Sequence, residues 1–126
     1  MGLIFAEIEL SNLLAADLAP YRTKALVDTG ALHLCISQHI ANQLKLSQLE
    51  EREVTIADGT KKLVPYVGPI KVTFQNRSCF TGAMVIGDEV LLGAIPMEDM
   101  DLVVHPSRLQ ITVNPNSPNV PASVAK

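Results

Sequence analysis

An all-β fold, a closed or folded-over sheet with one or two short helices, is what this 126-residue chain predicts. Three observations carry that reading. Apolar and polar residues alternate with the two-residue period of half-buried strands through several short runs. Two tight-turn signals, Asp58-Gly59 and Gln75-Asn76-Arg77, each separate a pair of such runs. The helical period surfaces only briefly, after Ser37 and around Pro96.

The elements follow in order. Ile4, Ala6, Ile8 and Leu10 alternate with Phe5, Glu7 and Glu9, which predicts a first strand. SNLLAADLAP reads as a connection closed by Pro20. Thr23 to Val27 enters a second strand ending at Asp28, and Leu32 to Ile36 is a third. Ser37 caps a short helix, SQHIANQLKL, with Ile40 and Leu44 on one face. The polar EERE follows, and the strands Glu53 to Ala57 and Lys61 to Val67 then flank Asp58-Gly59. Ile70 to Phe74 and Cys79 to Ile86 flank Gln75-Asn76-Arg77. After Gly87-Asp88-Glu89 comes the apolar EVLLGAI. PMEDM then suits one helical turn with Pro96 in its first position. Leu102 to Val104 and Leu109 to Val113 are the last strands, separated by His105-Pro106-Ser107.

The chain reads as one domain over residues 1–115, followed by a proline-punctuated segment, 116–126, expected to be mobile. With 48% hydrophobic but only 4% aromatic residues, the core must be built from Leu, Ile, Val and Ala. A net charge of −3 and a single adjacent basic pair, Lys61-Lys62, argue against a nucleic-acid partner. The opening MGLIFAEIEL lacks the basic head of a signal peptide, and no segment approaches the length of a membrane span. Two cysteines, Cys35 and Cys79, show neither metal nor disulfide-scaffold spacing, so free thiols in a reducing cytoplasm are expected.

One stretch needs a chemical explanation. In ALVDTGALHLCIS an apolar run stops at Asp28, turns through Thr29-Gly30 and resumes at Leu32. A carboxylate between apolar runs is costly unless donors reach it or a partner shares its proton. It is either a turn device capping local N–H groups or a chemical site. The tripeptide by itself is a weak signal. Its setting, strand–DTG–Ala–strand followed much later by Leu91-Leu92-Gly93, adds weight.

In that setting the sequence resembles the retropepsin-like aspartic proteases, the single-lobe relatives of pepsin. The matching pieces are LVDTGA, the hairpin IADGTKKLVPYVGPI, and LLGAIPMEDMDLVVHP followed by RLQITV. The helix after the motif makes the chain look most like the small bacterial members and the DNA-damage-inducible type of eukaryotic domain. The resemblance implies a retropepsin-like half-barrel in which Asp28 is the catalytic carboxylate. Thr29 would brace the partner's loop, and Gly30 would offer its N–H to the carboxylate. Leu91, Leu92 and Gly93 would pack behind the motif. Ala31 and the hairpin tip, Ala57, Asp58, Gly59 and Thr60, would meet substrate, the tip as a flap. Two departures from viral enzymes stand out: a flap with one glycine, and AIPMEDM without an Arg-containing signature.

The chemistry explains why such a motif is used in pairs. One carboxylate cannot both take a proton from water and give one to a leaving amine. Two carboxylates about 3 Å apart, as in aspartic proteases at large, share one proton and so hold a base and an acid together. The chain has a single DTG, so a homodimer with an isologous two-fold interface is expected, acting on a peptide or protein substrate without metal or cofactor. Ala31 supplies no hydroxyl to steady the ionised carboxylate, and a working range less acidic than pepsin's is expected. The alternative is a catalytically silent peptide-binding or dimerisation module on the same fold.

Other candidates have plainer readings. His33, His39 and His105 lack ligand spacing, and His33 either lines the cleft or turns away from it. Glu98, Asp99 and Asp101 read as a solvated helix start rather than a calcium loop. Cys35, between Leu34 and Ile36, reads as packing.

Overall fold

The computed structural model describes residues 2–125; Met1 and Lys126, at the outer limits of the two predicted segments, lie outside the described residues. The strands are β1 (Phe5–Asn12), β2 (Tyr21–Val27), β3 (Cys35–Ile36), β4 (Ser47–Thr55), β5 (Lys61–Phe74), β6 (Arg77–Val85), β7 (Val90–Leu92), β8 (Leu102–His105) and β9 (Gln110–Val113). Two six-residue helices, α1 (Gln38–Gln43) and α2 (Ala94–Asp99), and a 3₁₀ turn at Pro106–Arg108 complete the chain. The main sheet runs β1-β2-β7-β3-β6-β5-β4, and β1 also pairs with β5 through Glu9–Asn12 and Ile70–Thr73. That second pairing closes six strands on themselves and leaves β4 as an outer edge. The fold is the retropepsin-like all-β half-barrel expected.

Alternation decides what faces inward. In β1 Ala6, Ile8 and Leu10 are buried while Phe5 and Glu7 face solvent. The core they join is aliphatic, with Leu34, Ile36, Leu44, Ile70, Val72 and Leu92 fully or nearly fully buried, supplemented by Met97 and Met100. Asn12 is one of two buried polar residues among those described, with Arg77, and its partners account for it. Its Nδ2 donates to the carbonyls of Leu44 (2.8 Å) and Lys45 (3.2 Å), and its Oδ1 accepts from the Leu14 N–H (2.8 Å). The side chain therefore satisfies carbonyls at the end of α1 that have no intrahelical donor. At the other end of α1, Ser37 Oγ accepts from the Ile40 N–H, the cap predicted.

Several expected boundaries move. The polar EERE, of which only Glu53 was expected in a strand, lies wholly inside β4, because β4 is an edge strand with both faces wet and shows no apolar alternation. The two strands expected over 61–74 are one, β5, with a register shift between Val67 and Ile70 where Gly68-Pro69 interrupts the ladder. Arg77, assigned to a turn, is the first residue of β6 and pairs with Phe74. The third strand shrinks to Cys35–Ile36, since the backbone before it turns around the Asp28 loop. Helix α2 starts two residues before Pro96, which is thus its third residue.

The segment 116–126, expected to be mobile, is bonded to the body as far as Ala122. Arg77, 1% exposed, donates through Nη2 to the Ser117 carbonyl, and Asn76 Nδ2 donates to the Pro118 carbonyl (2.9 Å). Asp101 accepts from Ser117 Oγ, the Ala122 N–H (2.9 Å) and Asn114 Nδ2 (3.1 Å). These donors, the Ser117 hydroxyl foremost, hold the Asp101 carboxyl down at about 2. A carboxyl lowered on folding stabilises the structure above its unfolded value, and that contribution is lost as pH falls through the folded one. The Ala122 amide proton shift should therefore titrate in NMR spectra with a midpoint at about 2. In Asp101→Ala the amide should lose its hydrogen-exchange protection even at neutral pH.

Candidate active site

The loop carrying Asp28 is built by pairing on both sides of it. Strand β2 lies parallel to β7, with Val27 opposite Leu92. The ladder runs one bond further, the Asp28 N–H donating to the Leu92 carbonyl (3.0 Å). The chain then turns: the Ala31 N–H donates to the Asp28 carbonyl (3.1 Å), and the Gly30 N–H donates to Asp28 Oδ1 (3.0 Å). Asp28 is half-buried, while Thr29 and Gly30 are exposed beside it. Among the described residues no hydrogen-bond donor reaches the other carboxyl oxygen. The result is a carboxylate with one oxygen tied to its own turn and the other open to an incoming group.

Leu91, Leu92 and Gly93 stand behind this loop. Leu92 is fully buried and Leu91 half-buried. A Cβ on Gly93 would lie 2.4 Å from the His33 carbonyl oxygen and 2.6 Å from the Leu32 carbonyl carbon. Only a glycine lets the two backbones meet. Their approach lets the Ala31 and Leu32 carbonyls accept from the Ala94 (2.8 Å) and Ile95 (2.9 Å) N–H groups at the start of α2. Those N–H groups have no intrahelical acceptor, and Gly93 supplies no side-chain cap. The Asp28 loop itself does the capping.

A groove of 430 Å³ opens beside the loop, lined by Gly30, Ala31, Leu32 and His33, by Arg52, Val54 and Ile56 of the β4–β5 hairpin, and by Met84, Ile86 and Leu91 among others. Gly30 and Ala31 thus line the groove. The hairpin residues Ala57, Asp58, Gly59 and Thr60 are exposed at its tip and do not line the groove; the stretch before them does. The tip is a tight turn in which Asp58 Oδ1 accepts from the Thr60 N–H (2.8 Å) and Gly59 has a φ of +87°, a left-handed conformation suited to glycine. Bonding to Thr60 holds the Asp58 carboxyl below its ordinary value. Of the histidines, His33 is the one that lines the groove. Cys35 lines it too, its thiol pushed up by burial and then by the charge of Asp28. Burial, with Asp99 nearby, pushes the Cys79 thiol up to about 12. Thiols shifted this way are poor nucleophiles, in keeping with a packing role.

Arg52, Val54, Met84 and Ile86 escaped the sequence reading. Nothing local marks them, and they point to the groove only once strand pairing is known.

Comparison with known proteins agrees with this geometry. A family model described as gag-polyprotein putative aspartyl protease matches residues 16–95. The fold is similar to the retroviral protease-like domain of Ddi1 from Leishmania major, with a TM-score of 0.56 at 11% identity over 90% of this chain and 91% of that one. A protein of unknown function from Legionella pneumophila aligns with a TM-score of 0.42 at 15% identity, over 80% of this chain and 91% of that one. No curated protein sequence matches.

If the loop depends on the glycine contact, Gly93→Ala should destabilise the protein by about 3 kcal/mol, the upper range for overpacking. Urea unfolding would measure it.

Proposed function

As the chain belongs to the gag-polyprotein putative aspartyl protease family, we propose that it is an aspartic endopeptidase acting as a homodimer, with Asp28 of each copy contributing one carboxylate to a shared site. The observation that carries this reading is the Asp28 turn: one oxygen accepts from the Gly30 N–H at 3.0 Å, the other has no donor among the described residues, and exposed Thr29 and Gly30 flank it. The open carboxyl edge and the Thr29 hydroxyl are available to a second copy.

Brought together about the two-fold axis, the two carboxyls hold one proton between them. A water between them loses a proton to the ionised carboxylate as its oxygen attacks the peptide carbonyl carbon. The protonated carboxyl hydrogen-bonds the carbonyl oxygen, which gathers negative charge. A proton then passes from the pair to the amide nitrogen, the C–N bond breaks, and an acid and an amine leave. An extended peptide would lie in the groove under the β4–β5 hairpin, its main chain pairing to strand edges.

The domain boundary proposed is residue 115, with 116–126 as an appendage strapped to the body. A reducing, cytoplasmic setting is proposed from the two free thiols. No described helix is long and apolar enough to cross a membrane.

Asp28→Asn should lower cleavage of a peptide library at least about a hundredfold, the scale of acid–base catalysis. Its mass by sedimentation should stay that of the wild-type dimer. Wild-type specific activity should climb with protein concentration and level off as dimer saturates, with an optimum above about pH 3. A wild type that binds peptides and cleaves none at any pH would mark a silent binding module instead.

A further inference from the structure

We infer that Arg52 selects the peptide: the free edge of its guanidinium reads an acidic side chain of a substrate lying in the groove beside Asp28. The inference deepens the proposed function and rests on the groove being a peptide site.

Arg52 is anomalous for its strand. Nearly all of β4 is exposed, yet the Arg52 side chain is only 33% exposed. It is held by a stack of contacts that begins in the sheet. A Cβ on Gly82 would fall 2.5 Å from the Tyr66 ring, so the glycine makes room for that ring, and the Tyr66 hydroxyl accepts from the Gly82 N–H (3.2 Å). The Arg52 guanidinium carbon lies 3.8 Å from the Tyr66 ring centroid. Its Nε donates to Glu50 at 2.7 Å.

Those contacts leave Nη1 and Nη2 without a hydrogen-bond partner among the described residues. They belong to a side chain that lines a largely apolar groove with Leu32, Val54, Met84 and Ile86. Glu53 also borders the groove, and its carboxylate faces Lys61 at 4.0 Å. A planar guanidinium with two free nitrogens is the donor set that meets a carboxylate with two parallel hydrogen bonds. Stacking on a seated ring removes most of the ordering cost of such a contact before substrate arrives. A flexible lysine ammonium would have neither the planar match nor the stack.

The test separates recognition from catalysis. Fluorescein-labelled extended peptides with apolar residues flanking one varied position, Glu or Gln, would be titrated against the Asp28→Asn protein by fluorescence anisotropy. The same peptides would be offered to wild type for cleavage. At one position along the peptide, Glu should bind about tenfold more tightly than Gln, the scale of a charge-assisted hydrogen bond. Arg52→Met should erase that preference and Arg52→Lys should recover only part of it, with circular dichroism confirming that both variants fold. Equal affinity for Glu and Gln at every position, a preference surviving in Arg52→Met, or no peptide binding at all would overturn the inference. A Glu preference in binding with no cleavage by wild type would uphold it and overturn the protease reading. Cleavage by wild type with no Glu preference would do the reverse.

Discussion

Two backbones meeting with no side chain between them set the position of the Asp28 loop. Gly93 lies against the Leu32–His33 peptide at a distance that even a methyl group would violate. The contact allows the Asp28 loop to cap α2, and the parallel pairing of β2 with β7 carries the same restraint up to Asp28 itself. The Asp28 carboxylate is thereby held on a rigid base. Here the base is main chain against main chain, which is stiffer than any arrangement of long side chains.

The same economy recurs where polar groups are buried. Asn12 serves the end of α1 with one side chain. Arg77 is the harder case. It is fully buried, its Nε and Nη1 have no partner among the described residues, and the Asp101 carboxylate stands 4.0 Å away. A buried cation is tolerated only where opposite charge and acceptors surround it. The Ser117 carbonyl and the Asp101 carboxylate provide what there is, so the strapping of the C-terminal segment and the burial of Arg77 are one arrangement.

The groove joins two unlike walls. One is the rigid loop and the β6–β7 region, where Leu91, Met84 and Ile86 are packed into the sheet. The other is the β4–β5 hairpin, whose outer strand is exposed along almost its whole length. The hairpin's tip is well formed locally yet stands clear of the groove, and Arg52, Val54 and Ile56 form that wall.

Alternation in β1, the Ser37 cap, the Asp58-Gly59 turn and the aliphatic core were all legible in the amino acids, because each is a local signal. The Asp28-Thr29-Gly30 turn stood out as a carboxylate among apolar residues, whereas the place of Leu91-Leu92-Gly93 behind it came only from the family resemblance. What the residues could not disclose was pairing. EERE hides a strand because a wet edge carries no apolar period. Arg77 reads as a turn because its burial depends on a segment forty residues away. Arg52 joins the groove only through Tyr66 and Gly82. The sequence by itself determined the chemistry on offer and the inward faces of the strands; tertiary structure alone decided which distant residues meet, because strand register and chain closure are set by contacts that no local pattern records.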